Sequence, residues 1–360
     1  MEQLLQNHEL IFDNEGYCLS FKTTDFDNNQ QLDDVKVNPI AFFKKFGFLV
    51  VRDVLTKDDC DKTCSEIFNI IESKSPKFKR NDTSTWDEFP KEDAIPQYGS
   101  PSKPPVFTKQ FIHNRTNPNV YKVFSSILQN QDLLTNFDRC CFFRPTKGVL
   151  QKDGTVVDKP EWGTKNNLHL DMNPHAWLGN GDECRSVLDS LRYAHKSEFI
   201  VENNQPSAAD GIQLQAVLNL LDNREEDGGY VVVPGFNHIF VDYFTNVKKA
   251  TPGKVIDTKA NPSYNFNSKE LPYRYAKRIS MRQGSMVIWD QRMPHGSFSN
   301  QSNRPRMAQF LKIFPANTVS KDRFLARSKV VKHNITYNIE GGPFPLNDLS
   351  TQLLGLKDLK

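Results

Sequence analysis

A histidine and an aspartate lie two residues apart in NNLHLDMNP, residues 166 to 174. In a β-strand, residues i and i+2 project from the same face, so the side chains of His169 and Asp171 can converge on one point. An imidazole and a carboxylate that converge in this way can hold a metal ion. A chain with eight histidines and this acidic content gives about one such pair by chance, so other residues must complete the site.

A second stretch, GSMVIWDQRMPHGSFSNQSNRPRMAQFLKIF at residues 284 to 314, supplies a candidate third ligand. Its pattern predicts a strand that ends near Trp289, a Met-Pro turn, and then His295 at the rim of a β-barrel. Two histidines and one carboxylate form the facial triad that suits non-haem Fe(II) and leaves positions open for a co-substrate and dioxygen. The same ligands also suit Zn(II), so ligand identity leaves the metal open.

Arg306 favours iron. At the start of the next predicted strand it would project into the barrel, where a guanidinium can hold a carboxylate through two parallel hydrogen bonds. A dicarboxylate co-substrate that chelates iron at one end needs such an anchor at the other. Arg304 is an alternative by the two-residue period, but Pro305 marks it as a pre-strand residue, which favours a solvated arginine there.

The elements that must position these residues begin near residue 138, where short apolar runs are separated by turn signals. In the run IQLQAVLNLL, leucines and an alanine share one face of the predicted strand. The other face is partly polar, and a barrel that encloses a site is predicted if this face points inward. That face carries Gln213, Gln215, Val217, Asn219 and Leu221.

One domain is predicted for residues 1–360. It comprises an α-rich N-terminal flank over about 1–137, a β-core over about 138–315 and a C-terminal extension over about 316–360. The DNREED stretch at residues 222 to 227 is interpreted as a solvated turn.

Local signals within the N-terminal flank predict its elements. A short helix is broken at Gly47 and followed by a buried strand, Phe48 to Val51. Thr56 is the expected N-cap of the next helix, because acidic residues fill the first turn after it. Residues 74–110 are predicted to be loop, and a helix is expected around residues 117–133.

Composition excludes several classes of function. The net charge is +3 without a basic block, so nucleic acid is not an expected partner. There is neither a signal-peptide pattern nor an uninterrupted apolar run of about 18 residues, so a membrane is not expected either. The six cysteines have no metal-finger spacing and are interpreted as reduced thiols, which favours a cytoplasmic location. The oligomeric state is left open.

Four stretches of the sequence together resemble one known family. The chain resembles the phytanoyl-CoA dioxygenase family in four stretches, in the family's order: FGFLVVRDVLTKDDC near the start, HLD at 169 to 171, LLDNREEDGGYVVVPGFNH at 220 to 238, and HGSFSNQSNRPR at 295 to 306. The last stretch is the most specific, with the arginine eleven residues after the histidine. Its matching residues are His295, Ser297, Asn300, Ser302 and Arg306.

The resemblance implies a fold, a set of cofactors and a reaction. The fold is α+β with a mainly β core: a double-stranded β-helix of the jelly-roll or cupin-like kind, with flanking helices. His169, Asp171 and His295 are the implied Fe(II) ligands and catalytic centre, while Arg306 and Ser297 are implied to bind 2-oxoglutarate. The implied enzyme uses 2-oxoglutarate and dioxygen as co-substrates to hydroxylate an aliphatic C–H bond of a small molecule, with an acyl-CoA as one candidate.

Some features depart from the family pattern. Val217 stands where many members have tryptophan, and Leu170 lies between the first two ligands where glutamine is frequent, so the co-substrate contacts on that side are not implied. Residues 181–210 exceed what the family core needs and are expected to form a lid or pocket rim.

Two rival functions remain open at the level of sequence. One is a metal-dependent cupin-like enzyme without 2-oxoglutarate, such as a zinc hydrolase or isomerase, and the other is a non-catalytic metal- or ligand-binding barrel. Arg306 argues against the first, since such an enzyme has no evident use for that cation. His175 and His238 are possible spare ligands, but each lies near a Pro or Gly turn, which favours a structural or substrate-facing role.

Overall fold

The computed structural model describes residues 1–27, 33–178, 213–249, 263–319 and 321–357. Helices are concentrated before residue 130 and after residue 320. The α-helices are α1 Glu2–Gln6, α2 Pro39–Phe46, α3 Lys57–Lys74, α4 Lys109–Arg115, α5 Pro118–Leu128, α6 Pro174–Trp177, α7 Phe240–Asp242, α8 Leu271–Tyr275, α9 Lys321–Tyr337 and α10 Asp348–Leu353.

Most of the strands lie in the middle of the chain, as the turn-separated apolar runs predict. The strands are β1 Ser20–Phe21, β2 Phe48–Val51, β3 Leu133–Thr135, β4 Cys140–Phe143, β5 Val149–Leu150, β6 Val156–Val157, β7 Asn167–Leu170, β8 Leu214–Asn219, β9 Gly229–Val232, β10 Tyr264–Asn265, β11 Lys277–Arg278, β12 Met286–Asp290, β13 His295–Phe298, β14 Arg306–Leu311 and β15 Ile313–Pro315.

Two larger sheets organise these strands. The first has six strands in the order β1-β2-β12-β8-β14-β4, and the second has five in the order β10-β7-β13-β9-β11. All pairs in both sheets are antiparallel except β1 with β2. The mixture of helices and several sheets agrees with the predicted α+β class. Strand β2, from the N-terminal flank, lies between β1 and β12, so flank and core share one sheet.

The predicted helix, strand and helix around β2 are confirmed. Helix α2 ends at Gly47, which has φ +77° and leads directly into β2. Helix α3 begins after Thr56 with a capping box, in which the Thr56 hydroxyl accepts from the Asp59 amide and the Asp59 carboxylate accepts from the Thr56 amide, both at 3.1 Å. These two features fix the chain direction on either side of β2.

Two local predictions differ from the structure. Helix α5 ends at Leu128 rather than near residue 133, because Gln129 adopts the left-handed conformation with φ +51° and stops the helix. The predicted loop over residues 74–110 contains two 3-10 helices, Thr83–Glu88 and Pro96–Tyr98. Both are short, and periodicity in the sequence does not reveal such short helices.

Phenylalanines fill much of the main core between the helices and the first sheet. Phe42, Phe46 and Phe48 pack together with ring centroids 4.4–6.4 Å apart. A second apolar cluster joins α9 to the region around Phe137. There the buried Arg327 donates hydrogen bonds to the carbonyl groups of Leu354 and Thr135. The C-terminal extension is therefore attached through both apolar and polar contacts.

Two further sequence predictions concern compartment and loops. Within the described ranges, no helix is both long enough and apolar enough to cross a membrane. The cysteines in those ranges, at positions 18, 60, 64, 140 and 141, are free thiols. The predicted lid at residues 181–210 lies outside the described residues.

Candidate active site

Pairing of two strands brings the three predicted metal ligands together. In the second sheet, His295 on β13 lies directly opposite His169 on β7, and Asp171 follows the last residue of β7. Nε2 of His169 is 3.3 Å from one carboxylate oxygen of Asp171, and Nε2 of His295 is 3.7 Å from the other. The candidate ligand atoms of all three lie within 4.8 Å of one another. Ligands held at about 2.0–2.2 Å from one ion have separations of this order.

The hydrogen bonds of the two histidines fix which ring nitrogen is free. Nδ1 of His295 is 2.9 Å from the Met293 carbonyl, which can only accept, so Nδ1 carries the proton. Nδ1 of His169 is 3.1 Å from Oδ1 of Asn167, an atom that also accepts from the Ser297 amide. Nε2 of each ring therefore keeps its lone pair, and Nε2 is the atom that a histidine metal ligand uses when Nδ1 is hydrogen-bonded.

Burial lowers the pKa of His295 below its usual value and so favours the neutral imidazole that metals bind. At Asp171 burial raises the pKa, but this effect is outweighed by the charge of Lys312 and by the close contacts of both imidazoles with the carboxylate. These hold the pKa of the Asp171 carboxyl well below its usual range. His295 and Asp171 therefore favour the neutral imidazole and the charged carboxylate, which are the forms that bind a metal ion.

Gln215 orients the carboxylate of Asp171 from the opposite sheet. Its Nε2 donates to Oδ2 of Asp171 at 2.7 Å, while its Oε1 accepts from the indole Nε1 of Trp289 at 3.0 Å. Both atoms of the amide are thus committed, and the amide cannot rotate without losing a bond. The alternation within β8 predicts that Gln215 lies on the inward face, but nothing in the sequence assigns it this contact.

We expect Gln215→Leu to lower the affinity for a divalent metal by about 10- to 100-fold, because a group that orients a ligand contributes on this scale. Isothermal titration calorimetry with Co(II) measures the change. Gln309→Leu is the matched control, since Gln309 is a buried glutamine on β14 that bonds to Asn114 and the Phe111 carbonyl. Unchanged affinity in Gln215→Leu would show that Asp171 needs no support.

Beside the triad lies a cavity of about 300 Å³. Its wall is largely apolar, with Val217, Trp289, Phe310 and Leu311 among the lining residues. The polar lining includes both residues predicted to bind the co-substrate, Ser297 and Arg306. The structure therefore places all five predicted site residues, His169, Asp171, His295, Ser297 and Arg306, around one cavity.

Arg306 is buried without a carboxylate partner. It is 2% exposed, its guanidinium lies 5.1 Å from the centre of the Phe143 ring, and Nη1 donates to Sγ of Cys141 at 3.1 Å. Nε has no hydrogen-bond partner. Among the described residues no acidic group lies within 4 Å of this guanidinium. A buried positive charge without a partner is unfavourable, and a bound anion would remove that cost.

Gly229 leaves room for Arg306. Its φ is +97°, and a Cβ at this position would lie 2.5 Å from Nε of Arg306. We expect Gly229→Ala to lower the free energy of unfolding by about 2–4 kcal/mol, through backbone strain and overpacking together. Urea titration measures it. Gly154→Ala is the matched control, because Gly154 has φ +84° with nothing within 4 Å of its Cβ position. An equal loss in both variants would contradict the clash.

Other charged residues of the motif have structural roles. Arg304 pairs with Glu226 at 2.6 Å and with Asp227 at 2.9 Å, in agreement with its predicted place outside the barrel. The prediction of a solvated DNREED turn is wrong for Asp227, which is fully buried and accepts a hydrogen bond from Ser302 at 2.6 Å. The buried carboxylate thus anchors the loop that leads into β14 and Arg306.

The remaining candidates do not join the triad. His175 packs edge-on against Phe244 with ring centroids 5.7 Å apart. His238 lies 2.9 Å from the Lys45 carbonyl through Nε2. Three charged residues that the sequence motif does not indicate also line the cavity, Asp138, Arg139 and Lys312. Nζ of Lys312 is 3.8 Å from Oδ2 of Asp171. The signal available in the sequence is its even separation from Arg306 along one strand.

Comparison with known proteins gives a consistent result. A sequence profile of phytanoyl-CoA dioxygenase (PhyH) matches residues 203–308, a span that includes His295 and Arg306. A protein of Dictyostelium discoideum, provisionally named phytanoyl-CoA dioxygenase, is 54% identical over 366 residues, which cover 99% of this chain and 100% of that protein.

Two solved structures are similar over nearly the whole chain. The GlcNAc-inducible gene 2 protein of Candida albicans has a TM-score of 0.59 at 13% identity and is matched by 100% of this chain over 82% of its own. A hypothetical protein from Escherichia coli has a TM-score of 0.57 at 14% identity, with 98% and 88% covered. At these identities the likeness concerns the fold alone.

Proposed function

Because this chain belongs to the phytanoyl-CoA dioxygenase family, we propose that it is an Fe(II)- and 2-oxoglutarate-dependent dioxygenase that hydroxylates an aliphatic C–H bond of a small organic molecule. The observation that carries the proposal is one cavity with a His-Asp-His cluster and a buried arginine that lacks an anionic partner. We also propose that the two larger sheets form a double-stranded β-helix around that cavity.

The residues of the site fit both groups that the proposal requires. Two imidazoles and a carboxylate on one side of the cavity match the donor set of the facial triad. The buried guanidinium of Arg306 has an unpaired Nε, which suits the distal carboxylate of 2-oxoglutarate. When bound, iron and 2-oxoglutarate activate dioxygen, with one oxygen atom entering succinate as carbon dioxide is lost and the other entering the substrate.

The chain's own residues bind the co-substrate, orient a metal ligand and exclude water. Arg306 holds the distal carboxylate in the proposed complex. Ser297 can donate its hydroxyl proton to the same carboxylate, because its oxygen already accepts from Nδ2 of Asn167 at 3.1 Å. Gln215 keeps Asp171 in place, and the apolar cavity wall keeps water from the reacting groups.

Anaerobic titration with Fe(II) and 2-oxoglutarate tests this proposal. We expect a visible charge-transfer band that needs both components, and oxygen-dependent release of succinate after air is admitted. Metal binding without that band would favour the zinc-type hydrolase or isomerase. The band without any succinate release across a panel of small-molecule substrates would favour a non-catalytic barrel.

Several sequence predictions stay predictions. They are the single domain over residues 1–360, a cytoplasmic location, and a small-molecule substrate with neither nucleic acid nor a membrane as partner.

A further inference from the structure

Lys312 places a second cation in the candidate active site. It directly follows β14, six residues after Arg306, and both side chains face the same cavity. Its side chain is only 14% exposed and lines the cavity. Arg306 thus stands at one end of this strand, while Lys312 stands at the other, beside the metal ligands.

The ammonium of Lys312 has no hydrogen-bond acceptor among the described residues. Its distance of 3.8 Å to Oδ2 of Asp171 exceeds hydrogen-bond length. That oxygen already accepts from Gln215 at 2.7 Å. The three donors of this largely buried ammonium therefore find no acceptor in the part of the chain that the structure describes, a costly condition unless a ligand supplies one.

Charge balance shows that the proposed cofactors do not supply it. A divalent metal with Asp171 carries one net positive charge, and Arg306 carries another. The two carboxylates of 2-oxoglutarate neutralise both, which leaves the charge of Lys312 unbalanced. The other charged pair of the cavity wall, Arg139 with Asp138 at 3.3 Å, is internally neutral.

On the premise of the proposed function, we propose that Lys312 binds a carboxylate of the primary substrate, so that the substrate is a free organic acid. A single cation matches a monoanion, whereas a phosphate dianion needs more donors than this end of the cavity offers. A coenzyme A thioester would present a neutral carbonyl to Lys312 and leave its charge unpaired. The chemistry at this position therefore distinguishes an acid from its activated ester.

Propionate and propionamide are suitable probes, because they share their shape and differ in charge. The protein is loaded with Co(II) and 2-oxoglutarate, and paramagnetic relaxation of the probe protons reports binding near the metal. In the wild type we expect propionate to bind about 10-fold or more tightly than propionamide, since a hydrogen bond between charged groups contributes on this scale. Equal binding of the two probes would overturn the proposal.

Three variants test whether the preference for propionate depends on Lys312. Lys312→Met should bind both probes equally, and Lys312→Arg should keep the preference for propionate. Lys152→Met removes an exposed lysine with the same change in net charge and should behave as the wild type. A preference that persists in Lys312→Met would overturn the assignment to this residue.

The cobalt spectrum distinguishes failure of the proposed function from failure of the proposed role of Lys312. If Co(II) and 2-oxoglutarate fail to assemble in the wild type, the proposed function fails. If they assemble but the probes bind alike, only the acid-binding role of Lys312 fails. If assembly is lost in Lys312→Met alone, Lys312 serves the co-substrate and the proposal is wrong.

Discussion

Arg306→Ala is expected to lower the affinity for 2-oxoglutarate by about two orders of magnitude and to leave the affinity for metal nearly unchanged. Removal of one partner from a buried charged pair costs about 2–5 kcal/mol, and about 1.4 kcal/mol corresponds to a factor of ten. The guanidinium contacts Cys141 and Phe143 rather than the triad. Calorimetric titration of the Co(II)-loaded protein measures both affinities.

Two variants refine this prediction. Arg306→Lys should restore part of the affinity, because an ammonium keeps the charge but not the planar pair of donors. Arg304→Ala removes a neighbouring guanidinium that pairs with Glu226 and Asp227, and it should retain the affinity for 2-oxoglutarate. If Arg306→Ala binds 2-oxoglutarate as the wild type does, another cation holds the co-substrate.

His169→Ala is expected to lower the affinity for a divalent metal by at least about 100-fold and to abolish succinate release. A residue that only orients a ligand contributes about 10- to 100-fold, so loss of a ligand exceeds that range. The His169 side chain is 26% exposed, so its truncation leaves the core intact. Calorimetry with Co(II) and circular dichroism check binding and fold separately.

His175→Ala is the control for this variant. His175 lies in helix α6, four residues after Asp171, and its ring contacts Phe244 rather than the triad. It should bind metal with the affinity of the wild type. If the two variants lost equal affinity, the site would extend to His175 and the triad would be misassigned.

Spacing along strands predicts much of the site. His169 and Asp171 are two residues apart, and His295 and Arg306 begin consecutive strands, so their directions follow from the two-residue period. The structure places all four around one cavity. Spacing along strands does not predict contacts made across the cavity. Gln215 reaches Asp171 from the other sheet, and such a contact depends on sheet packing that no local pattern contains.

Asp227 shows a second limit on what local sequence predicts. Three acidic residues in succession before two glycines are typical of an exposed turn, and Glu226 does pair at the surface with Arg304. Yet the Asp227 side chain is fully buried, because Ser302 and Arg304 from a distant loop close over it. Burial of a polar residue is decided by its partners, and these are more than seventy residues away in the sequence.

Asn167 has a consequence for the order in which the site fills. Its Oδ1 accepts from Nδ1 of His169, while its Nδ2 donates to Oγ of Ser297. One amide thus connects a metal ligand to a residue proposed to bind the co-substrate. Whatever orientation the metal imposes on His169 is passed to Ser297, and the reverse holds as well. Thermodynamic reciprocity then requires that the factor by which the metal changes the affinity for 2-oxoglutarate equals the factor by which 2-oxoglutarate changes the affinity for the metal. The centre is thus a coupled unit rather than two independent sites.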